Sequence, residues 1–204
     1  KILKGPPRNR IRCLKGMPWP AWEYFNVNLM LDNGIGNTSN QIAGVRPMPL
    51  NATRGCPYRC TFCSNPNMWG KLWRARPVED VTAEMKYLNN KYGANHFDFT
   101  DLTLAVKKSW LTDFCNQMIK EKMPITWGLP SGTRSEVLDY EMLSLLRKAG
   151  LNDIDYAPES GSKKILEVMK KQISVPKVLN SLRSAVKAKM RIKVNIIIGY
   201  PEET

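Results

Sequence analysis

The residues best suited to chemistry stand together in one stretch, Cys56-Pro57-Tyr58-Arg59-Cys60-Thr61-Phe62-Cys63, which places three of the chain's five cysteines within eight residues. A disulfide framework does not explain them. The cysteine count is odd, no secretory signal stands at the start, and three thiols leave one unpaired. A structural zinc site wants four ligands. The other candidates, Cys13, Cys115 and His96, lie far off in sequence without local zinc-ligand spacing. Three thiolates with an open fourth position suit an iron–sulfur cube, one of whose irons is free to meet a substrate or cofactor. Cys13 and Cys115 read as structural, the second as a small core residue on an apolar helix stripe.

Such a loop needs elements to hold it, and from residue 50 onward strand-like and helix-like segments alternate. Pro49 to Thr53 reads as a strand directly before the cysteines. Val78, Val81, Met85, Leu88 and Tyr92 follow at helical spacing, and Gly93 ends that helix. His96 to Thr100 alternates as a second strand, and Trp110, Leu111, Phe114, Cys115, Met118 and Ile119 form the next helical stripe. Ile125 to Leu129 is the third strand, and Asp139 to Ala149 a helix closed by Gly150. Asp153 to Ala157 is the fourth strand, followed by a helix carrying Ile165, Leu166 and Met169. A further helix has Ser174 as N-cap and Pro176 in its first turn, before a fifth strand from Arg191 to Tyr200. Repeated strand–helix units imply a parallel sheet covered by helices, doubly wound or a barrel. In either, chemistry gathers at the C-terminal ends of the strands. Residues 1–48 differ: Pro6-Pro7, Pro18-Trp19-Pro20, Asn33-Gly34 and Pro47 mark an irregular arm or linker.

Composition narrows the class further. The chain has 204 residues, 43% of them hydrophobic and 24% charged, enough apolar material for a core and too little clustering for a membrane span. It starts at Lys1 rather than Met and stops just past an apolar strand, so the expectation is an internal piece of a longer protein. Net charge is +13 and uneven: residues 1–22 carry six basic residues and no acid, and residues 163–193 carry ten against Glu167 alone. That charge would suit an anionic partner. Most of these lysines fall between apolar helix positions, however, and no aromatics interleave with them as a base-stacking platform would require. Nucleic acid is therefore the weaker reading of the charge, and a cytoplasmic protein with free thiols is expected.

The three-then-two spacing of Cys56, Cys60 and Cys63, with aromatic Phe62 before the third cysteine, resembles the radical S-adenosylmethionine superfamily. The flanks Thr53-Arg54-Gly55, Ser64-Asn65-Pro66, Met68-Trp69-Gly70, Trp73-Arg74 and Arg76 resemble its cobalamin-dependent members. So does Met17-Pro18-Trp19-Pro20-Ala21-Trp22, which in that group joins an N-terminal cobalamin domain to the barrel. The resemblance implies an α/β fold, a partial parallel (β/α)6 TIM-like barrel truncated after about its fifth strand. It assigns residues 1–48 to a linker after a missing cobalamin-binding domain and 49–204 to the core. It implies a [4Fe-4S] cluster on Cys56, Cys60 and Cys63, S-adenosylmethionine, cobalamin, a one-electron donor of flavodoxin or ferredoxin type, and a small-molecule substrate. The chemistry implied is methylation or cyclisation of an unactivated carbon.

The same resemblance carries over further positions. Thr100 and Asp101 stand where the family places polar groups near the methionine ammonium, although the first of its two usual acids is Thr100 here. Asp101 serves equally as a helix cap. Pro158-Glu159-Ser160-Gly161-Ser162 is similar to the ribose-contacting segment, with Glu159 to accept from the hydroxyls and Ser160 beside it; Ser160 and Ser162 also fit helix caps. Lys171, or Lys170 beside it, matches a basic position for the methionine carboxylate. Ile198 and Gly199 match the adenine-contacting strand end, with Glu202 where a glycine is usual. Arg134 matches a family position or is an ordinary surface arginine. Two rivals stand beside this reading: a tRNA methylthiotransferase-like enzyme with the same cluster motif, and a zinc-stabilised nucleic-acid-binding domain.

Overall fold

A computed structural model describes residues 5–6, 9–33, 35 and 44–203. Lys1, Lys4, Pro7, Arg8, Gly34 and Thr204 lie outside the described residues. Seven strands are described: β1 (Pro47–Leu50), β2 (Thr53–Arg54), β3 (Arg74–Ala75), β4 (His96–Phe99), β5 (Thr126–Thr133), β6 (Leu151–Glu159) and β7 (Arg191–Ile196). The helices are α1 (Val27–Asp32), α2 (Asn65–Met68), α3 (Val78–Tyr92), α4 (Lys108–Glu121), α5 (Tyr140–Lys148), α6 (Lys163–Val168) and α7 (Val175–Lys187).

β1, β4, β5, β6 and β7 form one sheet in that order, every neighbouring pair parallel. Each strand is laid beside the one before it, with a helix between, so the sheet winds one way and has no switch point where the order reverses. This decides between the two architectures open to the sequence: the sheet is a partial TIM-like barrel. No helix among the described residues is long and apolar enough to cross a membrane.

Strand and helix chemistry account for the layers. On β6, Ile154 and Tyr156 are buried, and the Tyr156 hydroxyl meets Ser181 Oγ of α7 at 2.9 Å. The alternate residues Asp153 and Asp155 pair instead with Arg191 (2.6 Å) and Lys193 (2.5 Å), their register partners on β7. One face of these strands is thus apolar and packed on a helix while the other carries ion pairs, as the two-residue period requires. Between sheet and helices, Phe99, Phe114 and Trp127 meet edge to face at 5.3–5.6 Å between ring centres, with Trp110 stacked on Phe114. Cys115 is fully buried in the same core, which pushes its thiol up to about 12. His96 sits low on β4, its Nδ1 2.7 Å from Thr126 Oγ1.

Several strand limits differ from the sequence reading. The segment expected as one strand, Pro49 to Thr53, is two: β1 ends at Leu50, and Thr53–Arg54 leaves the sheet to pair antiparallel with Arg74–Ala75. β7 ends at Ile196, short of the expected Tyr200. The arm docks on the barrel through Trp19, whose Nε1 donates to Asp80 at 2.9 Å beside the Arg76–Asp80–Glu84 ion-pair network.

Candidate functional site

The cysteine loop leaves the C-terminal end of β1, and the short β2–β3 pair clips its two ends together. Two side groups make that exit possible. Gly55 has φ +85°, and a Cβ there would lie 2.3 Å from the Leu72 carbonyl oxygen, so only glycine fits directly before Cys56. Asp101, just past β4, is 3% exposed, and its carboxylate accepts from the Ala52 N–H at 3.2 Å and from the N–H and hydroxyl of Thr53. It fastens the chain where β1 turns into β2. Burial dominates its titration and raises it to about 6, despite the opposing hydrogen bonds from Thr53 and Ala52.

Within the loop, Asn65 is the strap. It is buried, its amide donates to the Cys56 carbonyl at 3.1 Å, and its backbone N–H points at Cys63 Sγ at 3.4 Å. The middle of the loop is tied to the opposite side of the barrel. Thr61 donates its N–H to the Met169 carbonyl at 3.0 Å, and its hydroxyl lies 2.6 Å from the Tyr200 hydroxyl. Arg134, past β5, is buried with its guanidinium 3.6 Å from the centre of the Tyr58 ring, and it donates to the carbonyls of Lys171 (2.7 Å) and Gln172 (2.8 Å). It is therefore no surface arginine. It ties the cysteine loop to the chain between α6 and α7, a cation–π contact of about 0.5–2 kcal/mol adding to the hydrogen bonds.

Cys56 and Cys60 are partly buried and Cys63 is exposed. Burial raises the Cys56 and Cys60 thiols, and the neighbouring cysteines raise both further. Arg134 opposes this at Cys56, and Lys171 with Arg134 opposes it at Cys60. A donor set of three cysteines on one loop beside two cations fits an iron cluster, whose positive metal would favour the thiolate form. Among the described residues no three His, Cys, Asp or Glu side chains converge on a point where one metal ion would bind.

The remaining expected positions fall around this loop. Lys171 is buried and donates to Glu159 Oε1 at 2.9 Å, with its ammonium 5.6 Å from the Phe62 ring. Lys170 beside it is exposed. Glu159 closes β6 with φ +69°, and its carbonyl accepts from the Ile197 N–H at 2.8 Å. Ser160 Oγ accepts from the Ser162 N–H at 3.1 Å, and Ser162 caps α6. Thr100 is exposed and continues the β4 ladder, its N–H donating to Leu50 at 3.0 Å. Asp101 does not cap α4, since that helix begins at Lys108 with Lys107 at its N-cap position and no side-chain cap. Ile198 is 89% exposed, and the N–H of Gly199 donates to Glu203 at 2.5 Å. Glu202 adopts φ +71°, the left-handed conformation a glycine would take. The roles of Tyr58, Thr61 and Tyr200 as loop fasteners had no signal in the sequence, because each depends on a partner more than 70 residues away.

Comparison with known proteins bears on the family and the fold. The chain is 28% identical over its full 204 residues to an uncharacterized methyltransferase of Pyrococcus horikoshii, covering 42% of that protein. It is 31% identical over 178 residues to the anaerobic magnesium-protoporphyrin IX monomethyl ester cyclase of Cereibacter sphaeroides, covering 85% of this chain and 29% of the other. It therefore spans less than half the length of these relatives. The fold superposes on the radical S-adenosylmethionine methyltransferase TsrM from Kitasatospora setae, solved with cobalamin and a [4Fe-4S] cluster bound, with a TM-score of 0.70 at 18% identity over 81% of this chain and 36% of that one. The family described as the radical SAM superfamily matches residues 50–204, and the chain belongs to it.

Proposed function

We propose that this chain is the core of a cobalamin-dependent radical S-adenosylmethionine enzyme that methylates or cyclises an unactivated carbon of a small molecule. The observation that carries it is the three-cysteine loop at the C-terminal end of the barrel, clamped beside the buried Lys171–Glu159 pair. Its relatives include a methyltransferase and a tetrapyrrole cyclase, and the fold matches that of a methyltransferase solved with cobalamin. Bound at Cys56, Cys60 and Cys63, a [4Fe-4S] cluster would supply one-electron cleavage of S-adenosylmethionine to methionine and a 5′-deoxyadenosyl radical.

The chain's own residues bind, orient and exclude water. Cys56, Cys60 and Cys63 are the three ligands, and Asn65 holds the first and last of them in register. The Lys171 ammonium complements the methionine carboxylate, and Glu159 accepts from the ribose hydroxyls. Ser160, Ile198, Gly199 and Phe62 are the remaining residues assigned to S-adenosylmethionine. Asp101 and Thr100 act from behind, with Asp101 positioning the loop's first residues rather than touching the ligand. The arm through Trp19 leads from a cobalamin-binding domain. Cysteines committed to a cluster rather than to disulfides suit the reducing cytoplasm, where a flavodoxin- or ferredoxin-type protein supplies the electron.

The test is iron and sulfide content, absorption spectrum and 5′-deoxyadenosine formation with the full-length protein reconstituted without oxygen. About four irons per chain and a brown protein that releases 5′-deoxyadenosine are expected. A colourless protein that takes up zinc alone would overturn the reading.

A further inference from the structure

A cavity of about 430 Å³ lies where three segments of the chain meet, with Arg12 of the arm, Trp73 and Arg74 at β3, and Lys107 and Ser109 at the start of α4 on its walls. None of the residues assigned to the cluster or to S-adenosylmethionine lines it. Arg12, Lys107 and Ser109 are exposed, and so is Asp113, the one acid on the wall. Three basic side chains therefore stand against a single carboxylate.

Arg74 is the buried member of the set, 9% exposed. Its Nη1 donates to the Ile11 carbonyl, which fastens the arm, but its Nε is buried and has no hydrogen-bond partner among the described residues. A buried donor on a charged group costs stability while it stays unpaired. Arg74 also stands directly opposite Arg54 in the β2–β3 register, which sets two like charges across one ladder. Arg54 rests against the Trp69 ring, 5.7 Å from its centre, and brings no counter-charge. The start of α4 adds to the same deficit. This 14-residue helix has Lys107 at its N-cap position, no side-chain cap and no acid in its first turn. Nothing in that turn answers its leading N–H groups or the positive end of its dipole.

We infer that this cavity binds an oxyanion of the phosphate class, with the Arg74 guanidinium as its buried donor, the leading N–H groups of α4 beside it, and Arg12 and Lys107 as its outer cations. Phosphate suits the set because its several oxygens accept charge-assisted hydrogen bonds from a guanidinium and from backbone N–H groups at once. Trp73 spends its indole N–H on the Thr103 carbonyl at 2.9 Å, so it offers the cavity only its apolar ring, against which the organic part of a phosphate ester would pack. Held there, the anion ties the arm to β3 and to the start of α4. The site is separate from the cysteine loop and stands or falls independently of the proposed function.

The experiment titrates inorganic phosphate, and separately phenyl phosphate, into the full-length protein by calorimetry at constant ionic strength. Saturable binding is expected, and saturating phosphate should slow the alkylation by iodoacetamide of Cys13, an exposed thiol on the cavity wall. Lys107→Asp gives α4 the side-chain cap it lacks. It should therefore raise the unfolding temperature in the absence of phosphate and yet weaken phosphate binding about tenfold or more. Arg74→Lys keeps the charge but removes the planar fork, and should weaken binding about fivefold. Lys148→Asp, an equal change of charge at an exposed residue of α5, should alter it by less than about threefold. Tighter binding of phenyl phosphate than of inorganic phosphate would make the natural ligand an organic phosphate, and equal binding would make it free phosphate; both support the site. No saturable binding, equal losses in Lys107→Asp and Lys148→Asp, or alkylation of Cys13 that phosphate leaves unchanged would each overturn it.

Discussion

The cysteine loop and the aromatic layer beneath the sheet are held by opposite means. Phe99, Phe114 and Trp127 are packed on all sides, and the layer draws its stability from area removed from water. The loop buries little that is apolar and hangs on single polar contacts from four directions: Asp101 behind β1, Asn65 within, Thr61 onto α6 and Tyr200, and Arg134 across to Tyr58. A layer held by area tolerates local change in proportion to the volume lost. A loop held by single contacts keeps its geometry only while each is present, and it can lose function without loss of fold.

That contrast is open to attack by substitution, and the largest effect should come from the loop. Cys63→Ala in the full-length protein should abolish iron incorporation, while Cys115→Ala, which alters a thiol fully buried in the core, should leave it intact. Equal iron in the two variants would remove the ligand assignment. The reverse case is Trp127→Ala, which should cost about 3–5 kcal/mol of stability by denaturant titration. Its indole N–H bond to the Ala149 carbonyl, 2.9 Å, goes with it. Iron uptake by the molecules still folded should be unchanged; a parallel fall in iron per folded chain would show that the two regions are not separable.

Asp101 joins the regions and gives a pH test. Its carboxyl is raised from 3.8 to about 6 in the folded chain, so between those values the folded state binds more protons than the unfolded one. Stability should therefore fall as pH rises through that window, by about 3 kcal/mol in all. Asp101→Asn should flatten this part of the stability–pH curve. Identical slopes in the two proteins would mean the hydrogen bonds from Ala52 and Thr53, and not burial, govern the group. The smallest effect belongs to Glu202, at φ +71°. Glu202→Gly relieves left-handed strain at some entropic cost, a net gain below about 1 kcal/mol, read as a small rise in unfolding temperature. A loss would show that the glutamate side chain holds the turn.

Much of this was legible in the residues. The spacing of Cys56, Cys60 and Cys63 is local, and so are the stripes that make α3, α4 and α5, so both could be read without any long-range contact. Ser162 as the cap of α6 is equally local, since cap and capped N–H are three residues apart. What failed were features that depend on distant partners. The turn between Leu50 and Thr53 reads as continuous strand because nothing nearby shows that Asp101 will draw it out of the sheet. For Arg134 the residues left a family position and a surface arginine both open, because its aromatic and carbonyl partners lie far along the chain.

The chain by itself thus determined the spacing of the three cysteines, the order of strands and helices and the family, because these rest on residue types at short, regular separations. Only the tertiary structure decided that the sheet winds in one direction, that Lys171 and not Lys170 faces Glu159, and that Asp101 positions the loop. Each of these depends on which way a side chain turns once the strands are laid side by side. That direction is set by burial and by hydrogen-bond partners many residues away, which no local pattern records.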